Sequence, residues 1–438
     1  MKVYIETLGC PKNEVDSMMA AGVLEQAGYE ICQDPEDAEV ILVNTCGFIQ
    51  DAKEESIGTI FDLAELKNEN SRLLAVSGCL SQRYGRELFD SMPEVDLMVG
   101  VNDYSRLPEL IERAFEEPVL AEPWDCDYFE EFPGCLAEVK NASAYLKIAE
   151  GCNNHCTYCV IPSIRGPYRS RKKEAVLKEA EDLAARGAKE LVLIAQDTTG
   201  YGRDLYEDYE LADLLADLGK IEGVKWLRLM YCYPDKVTDR LVAEIRDNPK
   251  VCKYMDMPVQ HGSNAVLKKM NRRSSKEEIE SVVLKLRREI PDMVIRTTII
   301  VGFPGEKADE FNELYDFVED LRFDRLGVFA YSKEENTPAA LIKPQVRSDV
   351  KERRKNAIMQ AQQSISLEKN LEKVGKTFEV LVEEGPDEEG GYIGRTAYDA
   401  AEIDNGVIFT SFRKLEPGDF VKVKITDAFD YDLVGEAI

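Results

Sequence analysis

Three apolar runs near the start of the chain share one pattern, and this pattern limits the fold most strongly. Each run is short and rich in β-branched residues, each ends in a cysteine, and a helical pattern follows it. The runs are Val3–Cys10, Val40–Cys46 and Leu73–Cys79. Buried strands that alternate with helices predict an α/β fold with a parallel sheet. Because ligands gather at the carboxyl ends of parallel strands, we expect the three cysteines to converge and to hold a metal cluster. Three ordinary buried cysteines are the alternative.

A second set of cysteines lies on one short segment. Cys152, Cys156 and Cys159 have the spacing C-x3-C-x2-C. Thiolates select soft centres such as iron–sulfur clusters, zinc or Cu(I). Three ligands are one fewer than the four that close a zinc or cubane site, so a cubane held here keeps one iron open for chemistry. The alternative is a structural zinc knuckle with a distant fourth ligand, but zinc sites usually pair their cysteines as C-x2-C.

A second alternation of strands and helices starts just before this segment. Helical segments such as Lys172–Arg186 lie between six apolar runs that predict strands. These runs are Tyr145–Ala149, Glu190–Ala195, Trp226–Met230, Tyr254–Met257, Met293–Gly302 and Leu326–Tyr331. Repeated βα units predict a parallel barrel, here open and with six strands. Its site should lie at the carboxyl ends of the strands, and Cys152 follows the first of them.

The remainder of the chain predicts one long amphipathic helix over residues 348–372 and a small antiparallel β-barrel after it. Short alternating runs within residues 376–438, separated by Gly, Pro and Asp, indicate the barrel, and they are Phe378–Val382, Val407–Phe409 and Phe420–Ile425. We therefore expect four parts. They are an N-terminal domain over residues 1–120, a polar linker over 121–142, a barrel with its C-terminal helix over 143–370, and a small barrel over 371–438.

Composition indicates the compartment and the kind of partner. The chain has 438 residues and no apolar stretch long enough to span a bilayer, and a strand pattern rather than a signal peptide follows Met1. Eleven cysteines in such a chain indicate a reducing compartment where thiols serve metals, so we expect a cytoplasmic protein. The formal net charge is −28. Such acidity repels nucleic acid and attracts basic partners, although it can also serve solubility alone.

Over essentially its whole length, the chain resembles the methylthiotransferases of the radical S-adenosylmethionine (SAM) superfamily. In that family, an N-terminal domain holds an auxiliary cluster, a radical SAM barrel follows, and a small OB-like barrel called TRAM ends the chain. The auxiliary-cluster cysteines match Cys10, Cys46 and Cys79, and the radical SAM motif matches the C-x3-C-x2-C segment. The resemblance therefore implies two 4Fe–4S clusters and SAM as cofactors.

The same resemblance implies which residues contact SAM. Tyr158 matches an aromatic residue that packs near the adenine. Gln196 and Asp197 follow the second barrel strand, where the family contacts polar groups of SAM.

Three further candidates lie at barrel strands. Gly302 belongs to the turn Val301–Glu306, which resembles the adenine-side motif of the superfamily, although Gly-Phe-Pro-Gly is also a plausible tight turn. Arg228 and Glu306 are candidates for holding SAM or a substrate carboxylate, with structural salt bridges as the alternative.

Two short motifs indicate the substrate branch of the family. Leu8–Asn13 and Asn44–Ile49 resemble the branch that methylthiolates small-subunit ribosomal protein twelve at the β-carbon of an aspartate. From Leu371 to Ile438, sixteen Asp and Glu residues against seven Lys and Arg give a net charge of −9. This charge suits a basic ribosomal protein better than tRNA. The alternatives are a tRNA adenosine methylthiotransferase, a radical SAM enzyme of another reaction type, and a non-catalytic iron–sulfur scaffold.

The resemblance also implies the chemistry and the remaining partners. An electron donor such as flavodoxin or ferredoxin reduces the barrel cluster, and SAM is cleaved to a 5′-deoxyadenosyl radical that removes hydrogen from the substrate. The auxiliary cluster carries sulfide from a separate sulfide source. A second SAM methylates this sulfide, and the substrate radical captures the methylthio group.

Overall fold

The structure is a computed structural model that describes residues 1–69, 72–101, 103–121, 138–206 and 208–438. The described residues form three units in chain order: a parallel sheet with helices, an open βα barrel, and a small closed β-barrel. The predicted α/β class and the predicted order of the units are confirmed. Most of the predicted linker, residues 122–137, lies outside the described residues.

The N-terminal unit is a six-stranded parallel sheet in the order β2-β1-β3-β4-β5-β6. Its strands are β1 (Lys2–Thr7), β2 (Glu30–Cys32), β3 (Val40–Thr45), β4 (Leu73–Gly78), β5 (Leu97–Met98) and β6 (Val119–Leu120). Its α-helices are α1 (Pro11–Gln26), α2 (Gln50–Glu65), α3 (Cys79–Ser91) and α4 (Leu107–Ala114). Helices α1 and α4 pack on one face and α2 and α3 pack on the other, so β3 and β4 are buried along their whole length. Burial on both faces explains their continuous apolar sequences.

The central unit begins with β7 (Ser143–Lys147), and its six parallel strands have the order β14-β13-β12-β11-β10-β7, with the two edge strands unpaired to each other. The other strands are β8 (Ala149–Glu150), β9 (Arg169–Ser170), β10 (Glu190–Ile194), β11 (Trp226–Leu229), β12 (Val251–Asp256), β13 (Val294–Val301) and β14 (Arg325–Ala330). The α-helices are α5 (Ile161–Arg165), α6 (Lys173–Ala185), α7 (Leu211–Leu218), α8 (Asp239–Asp247), α9 (Asn264–Lys269), α10 (Lys276–Glu289), α11 (Ala308–Leu321), α12 (Pro338–Leu341) and α13 (Ser348–Leu371). The predicted open six-stranded barrel and the predicted long helix are thus present.

Alternate residues of the barrel strands have different surroundings. Leu191 and Leu193 of β10 pack with the surrounding helices, whereas Val192 and Ile194 contact the core that the barrel shares with the N-terminal sheet. The small antiparallel pair of β8 and β9 brackets the loop that carries the second cysteine set. The open barrel therefore presents its interior and the ends of its strands to the neighbouring units.

The C-terminal unit is a closed barrel in the order β15-β16-β17-β19-β18. Its strands are β15 (Thr377–Glu384), β16 (Gly391–Thr396), β17 (Val407–Thr410), β18 (Phe420–Ala428) and β19 (Leu433–Ala437). The predicted small β-barrel is confirmed, and four of its five pairings are antiparallel, while β17 and β19 are parallel. Five strands cannot close into a ring with strictly alternating directions, so one parallel pair is unavoidable.

The C-terminal barrel docks at the amino-terminal ends of the central strands. Arg395 of β16 pairs with Glu190, the first residue of β10, and Phe420 of β18 packs edge-on against Trp226 with ring centroids 4.8 Å apart. These contacts leave the carboxyl ends of the central strands to the N-terminal unit. Within the described ranges, no helix combines the length and hydrophobicity needed to cross a membrane. The predicted domain boundaries stay predictions.

Candidate active site

Cys10, Cys46 and Cys79, here called the N-terminal triad, lie at the carboxyl edge of the sheet. Cys46 directly follows β3, Cys79 directly follows β4, and Cys10 lies between β1 and α1. A Cβ atom placed on Gly9 would lie 2.7 Å from the Cβ of Cys46, and the φ of Gly9 is +97°, so only glycine fits there. The structure therefore brings together the three cysteines that the strand pattern predicted to converge.

The sulfur atoms of the N-terminal triad differ in exposure. Cys10 is exposed, whereas Cys46 and Cys79 are buried. Burial raises the pKa of the Cys79 thiol to about 12, although Arg165, whose Nη2 lies 3.4 Å from the sulfur, acts in the opposite direction. Burial also raises the pKa of Cys46. A metal cluster would supply the positive charge that buried thiolates need, since metal binding displaces thiol protons.

Cys152, Cys156 and Cys159, here called the barrel triad, lie on the loop between β8 and β9. The loop begins at Gly151, whose φ is +76° and whose Cβ position would lie 2.1 Å from the carbonyl oxygen of Pro167. Only glycine permits this close approach. The loop is therefore folded back tightly just before Cys152, and the three cysteines come from one compact segment.

Each sulfur of the barrel triad accepts a hydrogen bond. Asn154 Nδ2 donates to Cys152 Sγ over 3.4 Å, and the backbone N–H of Ile161 donates to Cys159 Sγ over the same distance. The guanidinium of Arg272 donates to Cys156 Sγ over 3.8 Å. Hydrogen-bond donors around cysteine sulfurs are a known means of tuning iron–sulfur clusters. The donor set therefore fits a cluster with three cysteine ligands.

Within the part of the chain that the structure describes, no group of three or more His, Cys, Asp or Glu side chains is arranged to hold one metal ion. The choice between a cluster and a zinc knuckle at the barrel triad stays a prediction.

A buried network of charges connects the two triads. Arg165, the last residue of α5, donates to Cys79 Sγ and pairs with Asp16 of α1 at 2.8 Å. It also pairs at 3.1 Å with Glu150, which lies two residues before Cys152. Lys147 pairs with both carboxylates. Burial alone would raise the pKa of Glu150, but Arg165 and Lys147 hold it well below its ordinary value, so the carboxylate is ionised.

Lys12 lies at the same junction. It occupies the first turn of α1 and is only 7% exposed, and its ammonium lies over the ring of Tyr231, which follows β11. Burial lowers the pKa of Lys12 to about 8. The side chain thus extends from the N-terminal triad towards the carboxyl ends of the barrel strands.

Three of the residues predicted to contact SAM lie beside the barrel triad. Tyr158 packs against an apolar cluster that includes Phe303. Gln196 Nε2 donates to Glu150 over 2.6 Å, while Gln196 Oε1 is buried and has no hydrogen-bond partner. Asp197 accepts from Asn154 Nδ2 over 2.7 Å, which links it to the donor of Cys152. Their contacts with SAM stay a prediction.

Asp197 and Gly302 also have structural tasks. Asp197 binds Lys236 and caps the turn Thr198–Gly200, since its Oδ1 accepts from the backbone of Gly200 over 3.1 Å. Gly302 has a φ of +70°, and a Cβ on it would lie 2.3 Å from Lys351 Cγ. The turn after β13 therefore packs closely against α13. This packing alone requires a glycine at position 302, whether or not a ligand binds there.

Arg228 and Glu306 both take part in ion pairs within the protein, and their contacts with SAM or a substrate carboxylate stay predictions. Arg228 lies towards the amino-terminal end of the barrel, where its Nε donates to Glu190 over 2.8 Å and its Nη1 donates to the C-terminal unit. Glu306 pairs with Arg354 of α13 at 2.7 Å and accepts from the backbone of Phe303. Both are structural ion pairs, the alternative that the sequence left open.

The residues that connect the triads were not found from the sequence. Lys12 and Asp16 lie on the first helix, where polar residues normally indicate a solvated face, and Arg165 has no distinctive context. One signal was available. Lys147 interrupts the apolar strand Tyr145–Ala149, and a charged residue within a buried parallel strand needs a buried partner.

Comparison with known families covers all three units. Residues 2–100 match Uncharacterized protein family UPF0004, residues 146–318 match the Radical SAM superfamily, and residues 374–438 match the TRAM domain.

Among solved structures, the chain is similar to the radical SAM methyltransferase TsrM from Kitasatospora setae, with cobalamin and a [4Fe-4S] cluster bound. The TM-score is 0.58 at 16% identity, over 78% of this chain and 77% of that chain. The cobalamin-dependent SAM radical enzyme OxsB is similar with a TM-score of 0.55 at 14% identity, over 82% of this chain and 56% of that one. At these identities the similarity concerns the fold alone.

Curated relatives match from end to end. Ribosomal protein uS12 methylthiotransferase RimO from Clostridioides difficile is 49% identical, over 100% of this chain and 99% of that protein. The RimO protein from Acetivibrio thermocellus is 49% identical over 100% of this chain and 98% of its own length. That from Thermoanaerobacter sp. is 48% identical over 99% of both.

Proposed function

Because the chain belongs to the family of ribosomal protein uS12 methylthiotransferases named RimO, we propose that it replaces a C–H bond of uS12 by C–SCH3. The target in this proposal is the β-carbon of an aspartate. One observation carries the proposal: Arg165 binds both Cys79 of the N-terminal triad and Glu150 beside the barrel triad. A site for making a carbon radical and a site for supplying sulfur must adjoin if one substrate atom is to use both.

We propose that each triad holds one 4Fe–4S cluster and that SAM binds at the barrel triad. When bound, these groups supply the electron transfer, the hydrogen-abstracting radical and the methylated sulfur. Cys152, Cys156 and Cys159 would hold the first cluster, and their hydrogen-bond donors would stabilise the sulfur charge. The N-terminal triad would hold the second cluster.

In this proposal, the chain's own residues position SAM. Gln196 Oε1 is a buried acceptor without a donor, which suits an ammonium group such as that of SAM. Tyr158 lies in an apolar cluster with Phe303, a surface on which an adenine can pack. Asp197 and Gly302 would contribute through the turns that they hold, as their contacts suggest.

Charge supports a basic protein substrate. The chain carries a net charge of −28, and its segment from Leu371 to Ile438 carries −9, from sixteen acidic and seven basic residues. Complementary charge speeds and orients encounter with a basic protein, whereas tRNA phosphates would be repelled. A ribosomal protein substrate supports a cytoplasmic location. We further propose a flavodoxin or ferredoxin as electron donor and a separate sulfide source, without a membrane partner.

The experiment that tests this function offers both substrate classes together. Anaerobically reconstituted enzyme is incubated with SAM, sulfide, a reductant, purified uS12 and tRNA, and both macromolecules are then analysed by mass spectrometry. We expect a methylthio group on one aspartate of uS12 and unmodified tRNA. A modified tRNA adenosine with untouched uS12 would overturn the proposal, and absence of 5′-deoxyadenosine would favour a non-catalytic scaffold.

A further inference from the structure

Lys12 is a buried cation without a bound anion. It is 7% exposed, and its ammonium lies over the Tyr231 ring. The contacts of the described residues give its Nζ neither a hydrogen bond nor an ion pair. A cation–π contact offsets only part of the cost of burying an ammonium group, and an unpaired buried charge is expensive. Of the acidic groups around Lys12, the Cys10 thiol is a ligand of the proposed cluster, so this position suits an anion from a bound substrate.

The carboxylates around Lys12 are already bound by other cations. Asp256 pairs with Arg296 at 2.8 Å, and Glu150 pairs with Arg165 at 3.1 Å. The Asp256 carboxylate also accepts a hydrogen bond from the backbone N–H of Tyr231, which restricts its rotation. A resident acid could pair with Lys12 only by leaving a second cation unpaired, so Lys12 stays available to an incoming anion.

Lys12 lies where the two halves of the proposed reaction meet. It follows Cys10 by two residues on one side, and on the other it reaches Tyr231, at the carboxyl end of β11. Cys152 follows β7 and β8, at the same end of the barrel. An anion bound by Lys12 would be next to the N-terminal triad and above the barrel.

Two separate pockets lie near this position, and Tyr145 and Ala401 line both of them. The inner part, of about 10 Å³, is lined by Pro11, Tyr145 and Tyr231 and lies next to Lys12. The outer part, of about 160 Å³, lies between α1, the start of the barrel and the C-terminal unit. The charged residues of the outer part are Glu14, Glu138, Glu383, Glu384, Glu402 and Lys140. A basic polypeptide loop suits an acidic entrance, and a cation at the inner end suits one acidic residue on that loop.

We propose that the Lys12 ammonium binds the side-chain carboxylate of the substrate aspartate and so positions its β-carbon between the two triads. The proposal rests on the proposed function, which supplies the aspartate. The β-carbon is bonded directly to the carboxylate carbon, so fixing the carboxylate restricts the position of the hydrogen to be removed. Lys12 in this role selects an acidic residue from an otherwise basic substrate.

The test is a binding cycle with holoenzyme containing both clusters and SAM, in the absence of reductant. Wild-type, Lys12→Met, Lys12→Arg and Lys220→Met enzymes are titrated with uS12 and with uS12 whose target aspartate is replaced by asparagine. Lys220 is a matched control, because it is an exposed lysine with a surface ion pair. The readout is the ratio of the two Kd values for each enzyme, with iron content measured on the same samples.

We expect wild-type and Lys220→Met enzymes to bind the aspartate form about tenfold or more tightly than the asparagine form, the size of a charge-assisted contact. Lys12→Met should bind both forms equally, and Lys12→Arg should keep most of the preference. Equal preference in wild-type and Lys12→Met enzymes with full iron would overturn the proposal. The proposal would also be overturned if the Lys12→Met enzyme lost iron and the Lys12→Arg enzyme lost its preference for the aspartate form. Lys12 would then serve the cluster at the N-terminal triad. If wild-type enzyme modifies no aspartate of uS12 in a parallel turnover assay, the proposed function itself fails.

Discussion

The two cysteine triads bring three sulfurs together in opposite ways. The barrel triad comes from one loop between β8 and β9, and its geometry depends on local contacts such as the close approach of Gly151 to Pro167. The N-terminal triad is assembled from the ends of three strand–helix connections, and it depends on the parallel pairing of β1, β3 and β4. One site is encoded locally and the other by tertiary structure.

The surroundings of the triads differ in the same sense. Every sulfur of the barrel triad accepts a hydrogen bond from its own unit. In the N-terminal triad, Cys10 is exposed, and Cys79 accepts from Arg165, which belongs to the barrel. The second site is therefore completed only when the two units dock. This difference agrees with the proposed roles, in which the radical-generating site must be rigid and the sulfur-carrying site must admit small molecules.

The largest expected effect comes from removing each triad in turn. Reconstituted wild-type protein should carry about eight irons per chain, and either triple Cys→Ala variant should carry half. Without Cys152, Cys156 and Cys159, neither 5′-deoxyadenosine nor methylthiolated uS12 should form. Without Cys10, Cys46 and Cys79, SAM cleavage should continue while the methylthiolated product disappears, since the substrate radical finds no sulfur. Iron analysis and product chromatography check both variants.

Full methylthiolation by the variant without the N-terminal triad would show that another group carries the sulfur. Wild-type protein that binds one cluster, or zinc in its place, would contradict the assignment of both triads. Cys252, which is buried in the barrel and belongs to neither triad, provides a matched control when changed to Ala.

In metal-free protein, the alkylation rates of the six cysteines in the two triads should differ by a large factor. Burial raises the pKa of Cys79 to about 12 and that of Cys159 to about 12, so at pH 8 only about one in ten thousand of these thiols is ionised. The thiolate is the reactive form, and the rate of alkylation should rise about tenfold per pH unit up to that pKa. Cys10, which is exposed, should be labelled first.

Peptide mass spectrometry after timed alkylation from pH 7 to pH 10 measures this order. Equal labelling rates for Cys10 and Cys79 at pH 8 would contradict the described burial. Reconstitution before labelling should protect all six cysteines, and protection of only one triad would sharpen the comparison by showing which site is filled.

The sequence predicted the parts of the molecule that depend on local patterns. Continuous apolar runs identified β3 and β4, and the cysteine spacing identified the barrel triad. The N-terminal triad was also predictable, because parallel strands place their carboxyl ends at one edge. Two strands of the C-terminal barrel, Gly391–Thr396 and Leu433–Ala437, were missed because glycine and charged residues interrupt their alternation.

Contacts between units were not predictable in the same way. Asp16 of α1 is buried, and both of its ion-pair partners, Lys147 and Arg165, belong to the barrel. Arg228 was assigned to SAM or a substrate carboxylate because the sequence indicated a charged residue at the end of a barrel strand. A one-dimensional pattern does not tell which end of the barrel such a side chain occupies, and Arg228 is bound by Glu190 at the amino-terminal end.

Arg165 tests the importance of the contact between the triads. Changing Arg165 to Met removes a fully buried cation and leaves Lys147 as the remaining cation that pairs with Asp16 and Glu150 among the described residues. Breaking a buried ion pair in this way typically costs about 3–5 kcal/mol of folding free energy. Urea unfolding of the reconstituted protein should show this loss, and iron should be lost preferentially from the N-terminal triad. Arg86→Met, at an exposed pair on α3, is the control that should unfold like wild type. Equal iron loss from both triads would contradict a specific role at Cys79.

The smallest expected effect concerns the acidic cleft. Changing Glu138 and Glu384 to Lys reverses two charges at the cleft between the N-terminal unit, the barrel and the C-terminal unit. Changing Glu313 of α11 and Glu352 of α13 to Lys alters the net charge equally, but on other surfaces. Exposed charge pairs are each worth about 0.2–1 kcal/mol, so the cleft variant should bind uS12 a few-fold to about tenfold more weakly at low salt. The difference from wild type should shrink as salt rises, because screening weakens exposed charge pairing. Fluorescence anisotropy with labelled uS12 at several salt concentrations measures both variants. If the cleft variant and the control variant lose the same affinity for uS12, the net charge of the whole chain attracts the substrate. The substrate then does not enter through this cleft.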